Sequence, residues 1–162
     1  MAVVERVVQA PPEQVFAVLA DAWTYSDWVV GTAHIRDVDA SWPAPGSRLY
    51  HKAGPWPFSV RDSTVVLSCK EPTELVVQPR LWPLGEATVA LRLTPVGDGA
   101  TRIIMAEDFA AGPLRWLRTK VNDLVLHYRN RESLRRLSDI VLRKHAAGQP
   151  DGGTGDASGA QR

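Results

Sequence analysis

The 162-residue chain is poor in the features that name a function outright. It has one cysteine, Cys69, so no internal disulfide can form, and in its apolar, strand-like stretch that thiol reads as a small hydrophobe suited to a reducing compartment. Lys and Arg (19) nearly balance Asp and Glu (18) for a net charge of +1. That lacks the basic excess of a nucleic-acid binder, and no nucleic-acid partner is expected. No segment approaches the roughly 18 uninterrupted apolar residues of a membrane span. The start, Met1-Ala-Val-Val-Glu-Arg, carries charge where a signal peptide has its apolar centre. The expectation is a cytoplasmic protein with no integral membrane segment. There is no Walker-type glycine loop, no Gly-x-Ser-x-Gly elbow and no dinucleotide fingerprint. His34, His51, His127 and His145 are scattered, and one cysteine cannot complete a zinc set. Neither a metal nor a cofactor is expected.

What is present is an ordinary globular composition, 44% hydrophobic and 23% charged, at a length that fits a single domain. Val3 to Val8 is rich in β-branched residues and stops at Ala10-Pro11-Pro12, as a strand stopped by proline does. Pro12 suits a first helical turn, and Val15, Phe16 and Leu19 then form one apolar stripe on a short helix. Asp21 to Gly31 mixes aromatics with turn formers and reads as a second short helix or an irregular connection. From Ala33 to Phe109, turn signals divide six strand-length segments: Ala33 to Val38, Arg48 to Ala53, Phe58 to Lys70, Glu74 to Trp82, Ala87 to Pro95 and Thr101 to Phe109.

Two of these segments alternate clearly. Val89, Leu91 and Leu93 oppose Thr88, Ala90, Arg92 and Thr94, while Leu75, Val77 and Leu81 oppose Gln78 and Arg80. An antiparallel sheet with one dry face must be covered, and the long element left to cover it follows Gly112-Pro113. That element reads as a helix from Leu114 to about His145. Its apolar residues split between two faces: Val121, Leu124, Val125 and Tyr128 on one, and Leu126, Asn130, Leu134, Leu137 and Val141 on the other. Either the helix is kinked or it is buried on two sides. The favoured reading lays its second half in the sheet and its first half at the mouth of a cavity. Residues 1–145 thus form one α+β domain, and the Gly-rich run 146–162 is expected to be a disordered tail.

The order of one strand, two short helices, six strands and a long C-terminal helix resembles the helix-grip fold of the START, Bet v 1 and polyketide cyclase (SRPBCC) superfamily. Ala10-Pro11-Pro12-Glu13-Gln14-Val15-Phe16-Ala17-Val18-Leu19-Ala20-Asp21, Trp28, and Trp42-Pro43 before Pro45-Gly46 look like the opening of its bacterial polyketide cyclase/dehydrase-like subgroup. Gly99-Ala-Thr-Arg-Ile103, and Arg129-Asn130-Arg131 with Leu134 and Leu137, resemble its close. The resemblance implies a seven-stranded antiparallel sheet wrapped around the last helix. It also implies an internal cavity for sterols, lipids, quinones, plant hormones or polyketides, in a superfamily of which only some members are enzymes.

Alternation places Leu49, Val77, Leu91 and Met105 on the cavity lining. Glu107 continues the Ile103 and Met105 face, so its carboxylate is expected inside. There, burial without a partner would make it a candidate proton shuttle. The alternative is a carboxylate at the strand's open end, solvated or paired with an arginine. His51 alternates with Leu49 and Ala53 and is the second catalytic candidate, as an acid or base near neutral pH or as a satisfied core histidine. Asp62 follows Val60 on the Phe58 face and is a third inward candidate, subject to a bulge in that long strand. Of the six tryptophans, Trp28, Trp42, Trp56 and Trp82 fall in or beside loops, and Trp28 and Trp82 are the choices for ligand contact. Arg129, Arg131, Arg135, Arg136, Arg143 and Lys144 in the last helix read either as a solvated face or as a contact for an anionic surface.

Three functions fit these residues. The first is binding or carriage of a hydrophobic small molecule. The second is a polyketide cyclase/dehydratase-like enzyme using Glu107 or His51. The third is a protein-interaction module, which would have a filled interior. Oligomeric state is not legible.

Overall fold

Proline sets the first boundary of the fold. Strand β1 (Ala2–Val8) ends ahead of Pro11-Pro12, and helix α1 (Pro12–Leu19) begins on Pro12, where a missing amide hydrogen costs nothing. α1 buries Val15, Phe16, Val18 and Leu19. A 3-10 turn (Ala22–Thr24) leads into the single-turn helix α2 (Tyr25–Trp28), so the second short helix is real. The computed structural model describes residues 1–54, 60–81, 85–111 and 120–148.

The strands that follow are β2 (Thr32–Val38), β3 (Arg48–Ala53), β4 (Val60–Lys70), β5 (Glu74–Leu81), β6 (Gly85–Val96) and β7 (Ala100–Ala111). All pair antiparallel in the order β1-β7-β6-β5-β4-β3-β2. The meander is continuous from β2 to β7, and β1 closes it at the far edge. The dry face is the one alternation gives: Leu49, Val66, Leu75, Val77, Leu91, Leu93, Ile103 and Met105 are buried in one core.

Helix α3 (Lys120–Gly148) covers that face, packing on β1 and against α1 and α2. The arrangement is a helix-grip fold. Leu126, Asn130, Leu134, Leu137 and Val141 are all buried, and each fully covered leucine among them contributes about 1.5–3 kcal/mol.

The other expected face is corrected. Leu124, Val125 and Tyr128 are 55%, 60% and 63% exposed, so they do not border the cavity. One continuous stripe at helical spacing satisfies the sheet, and Leu124, Val125 and Tyr128 of the second face solvent, while the side chain of Val121 lies outside what the structure describes. Of the first half's beginning, Leu114 to Thr119 lie outside the described residues. At the other end the helix runs through Gly148, past the expected tail boundary at Ala146, and 149–162 lie outside the described residues. Among the described residues no helix is long and apolar enough to cross a membrane.

Candidate functional site

A cavity of about 110 Å³ lies between the sheet and its cover. Five neighbouring strands supply its floor through alternating residues: Leu49 and His51 of β3, Thr64 of β4, Val77 and Pro79 of β5, Val89 and Leu91 of β6, and Met105 and Glu107 of β7. The period-two pleat is what brings these side chains to one surface. The roof is Tyr25 and Trp28 of α2, the connection Val29 to Gly31 with Thr32 at the start of β2, and Arg129, Asn130 and Ser133 of α3.

Short polar contacts fix the roof. The Val30 amide donates to Ser133 Oγ at 3.1 Å, tying the connection to α3. The Gly54 amide donates to the Gly31 carbonyl at 3.2 Å, tying it to the end of β3. Tyr25 is held from two sides. Its hydroxyl donates to the Leu19 carbonyl at 2.9 Å, and its ring packs on Trp28 and edge-on to Trp42, with centroids 4.8 and 5.5 Å apart. Burial raises the Tyr25 pKa far above the ordinary phenol value, so this hydroxyl is a structural donor and not a titrating group.

Glu107 is inside the cavity as expected, with its side chain 1% exposed, but it is not unpartnered. Arg129 Nη2 donates to Oε1 at 2.5 Å and to Oε2 at 2.6 Å. The pairing with an arginine is realised, inside the cavity, by Arg129, which the sequence offered as part of the Arg129-Asn130-Arg131 family resemblance and as one of several basic positions on the last helix, but not as a cavity residue. His51 is also inside. Burial pushes its pKa below the usual 6.5, opposed by the charge of Asp62. Asp62 is buried directly across the ladder from His51, because the β4 bulge falls later, between Val66 and Ser68. It does not itself bound the cavity. His51 and Glu107 face the same space from β3 and β7, with three strands between them.

Of the other expected contacts, Trp28, Leu49, Val77, Leu91 and Met105 all line the cavity. Trp82 and Trp56 lie outside the described residues. Trp42 is partly buried and packs against the core beside Tyr25, its indole nitrogen donating to the Leu19 carbonyl at 3.4 Å. The polar cluster Arg129, Asn130 and Ser133 escaped the sequence reading as a site. Its signal was Asn130, a polar residue in the middle of an otherwise apolar helix stripe.

Among the described residues, no three His, Cys, Asp or Glu side chains gather as metal ligands. No curated protein matches the chain. Several solved structures share its fold. The Zhui aromatase/cyclase from Streptomyces sp. R1128 is 16% identical, with a TM-score of 0.69 over 91% of this chain and 96% of its own. A protein from Rhodobacter sphaeroides is 23% identical, with a TM-score of 0.67 over 87% and 91%. One from Nitrosomonas europaea is 19% identical, with a TM-score of 0.67 over 90% and 95%. The family described as polyketide cyclase / dehydrase and lipid transport matches residues 1–141, and the chain belongs to it.

Proposed function

We propose that the chain is a cytoplasmic carrier or binding protein that holds a hydrophobic small molecule in the cavity between the sheet and α3. The supporting observation is the cavity itself, whose floor of five strands is mostly apolar, with His51, Thr64 and Glu107 as its polar side chains, under a roof that carries further polar groups on α2 and α3, a combination that suits a small-molecule site. Its size narrows the reading. About 110 Å³ is well under the roughly 300–1,000 Å³ of pockets for drug-sized ligands, and nearer the ~150 Å³ cavity that takes up benzene. A body of about one ring fits, and a long acyl chain or a multi-ring polyketide requires the α2 and α3 roof to lift. Trp28, Leu49, Val77, Leu91 and Met105 are the proposed apolar contacts.

A cyclase/dehydratase-like enzyme is the second reading, and His51 is the observation in its favour. With its pKa lowered by burial, it is neutral near pH 7 and able to take up a proton. Glu107 is less suited to that role, since Arg129 already occupies both its oxygens.

Solvent extraction of the purified protein followed by mass spectrometry tests the first reading, together with titration by an apolar dye. A stoichiometric extractable ligand or saturable dye binding is expected, and neither appearing overturns it. For the second reading, His51→Ala should slow turnover of an identified substrate by ~10²-fold or more. Unchanged turnover removes His51 as the acid/base.

A further inference from the structure

Three residues of the cavity wall carry a buried polar atom with no hydrogen-bond partner among the described residues: Trp28 Nε1, Asn130 Nδ2 and His51 Nδ1. A fourth such atom, His145 Nδ1, belongs to the last turn of α3, and His145 is not among the residues lining the cavity. Folded proteins satisfy nearly all their buried polar atoms, so three unpartnered ones in the wall of one small cavity call for a common cause.

The chemistry of the three atoms is selective. An indole N–H and an amide NH₂ can only donate, whereas a neutral imidazole can meet either a donor or an acceptor. Asn130 is oriented by its neighbour, its Oδ1 receiving a long 3.5 Å contact from Arg129 Nη2, which assigns Nδ2 as the unpartnered end. Arg129 is in turn held by Glu107. That ion pair leaves the wall electrically neutral, so a ligand bearing its own charge would enter a partly apolar cavity whose one cation and one anion are already paired with each other, at a large desolvation cost.

We propose that the cavity selects its ligand by one neutral acceptor oxygen: a compact apolar body carrying a ketone-type carbonyl, held by Asn130 Nδ2 and Trp28 Nε1. The floor strands supply shape, α2 and α3 supply the donors, and His51 is the partner for a second polar substituent. The proposal rests on the binding reading above. It adds the functional group recognised and the two residues that recognise it.

The test uses cyclohexanone and methylenecyclohexane, which share a shape and differ in C=O against C=CH₂, with the full ¹⁵N-labelled chain. Cyclohexanone should shift the Trp28 indole N–H and Asn130 amide resonances, and methylenecyclohexane should leave them in place. The ratio of the two Kd values should move against the ketone by about fivefold in Asn130→Leu, the loss of one hydrogen bond. Should that variant fail to fold, Trp28→Phe reads the same ratio, and the wild-type resonances need no variant. If both compounds bind with an unchanged ratio and the two N–H signals respond alike to each, the carbonyl proposal is overturned while binding stands. Binding of neither overturns the binding reading and this proposal with it.

Discussion

Arg129 Nη2 bridges both carboxylate oxygens of Glu107, at 2.5 and 2.6 Å, linking the middle of α3 to a strand near the sheet's edge. The cross-strand neighbours of Glu107 are Ala2 and Val89, and neither side chain offers it anything polar. With Glu107 1% exposed and Arg129 29% exposed, the carboxylate depends on the arginine far more than the reverse. Removing one partner of a buried pair costs ~3–5 kcal/mol, and the partial exposure of Arg129 brings the expected loss for Arg129→Leu to about 2–3 kcal/mol. Glu107→Leu combined with Arg129→Leu should recover most of it, because no charge is then left unpaired. Urea unfolding of the single and double variants checks this. A double variant as unstable as the single would mean that the arginine acts through packing alone.

His51 gives the protein a predictable acid sensitivity. Burial lowers its folded-state pKa below 6.5, so the unfolded chain binds that proton more readily than the folded one. The stability this contributes is fully present above pH 6.5 and is lost as pH falls from there towards the folded value, with a slope of at most about 1.4 kcal/mol per pH unit. His51→Gln should flatten that part of the profile. Thermal or urea unfolding of both proteins across the window measures the difference, and parallel profiles would show that His51 is protonated as easily folded as unfolded.

The floor of the site could be read from residue order because it has a single physical cause. An antiparallel sheet with one dry face sends every second side chain to it, which is why Leu49 with His51, Val77, Leu91, and Met105 with Glu107 were all found on one surface. The roof has no such rule. Arg129 differs from Arg131 or Arg135 only in the rotation of α3 about its axis, and rotation is set by tertiary packing that residue spacing does not encode. Asp62 shows the limit of alternation in another way: its face was right, but a face does not say where along it a cavity opens.

The two stripes of α3 turn that ambiguity into a measurable contrast. Leu137 is fully buried, whereas Leu124 is more than half exposed. Leu137→Ala should cost ~2–5 kcal/mol through lost burial and the void it leaves. Leu124→Ala should stay within about 0.5 kcal/mol of wild type. Chemical denaturation of the two variants separates the faces. Equal losses would restore the reading in which both stripes are buried.

Gly31 lies on the cavity rim, between Val30 and Thr32, with φ at +101° and its carbonyl accepting the Gly54 amide at 3.2 Å. A Cβ built there meets nothing within 4 Å, so an alanine would fit the space and suffer only from the backbone angle, a cost of roughly 1–2 kcal/mol. Gly148 is the natural control. It ends α3, also has open space around it, and carries no such angle, so Gly148→Ala should be neutral or stabilise by up to about 1 kcal/mol through helix propensity. Melting curves of the two variants should therefore move in opposite directions or leave only Gly31→Ala displaced. Because the rim would have to rearrange to relieve the strain, Gly31→Ala should also weaken dye uptake by the cavity, and Gly148→Ala should not. A Gly31→Ala protein as stable as wild type, with uptake intact, would mean that the rim adopts an ordinary backbone angle in solution.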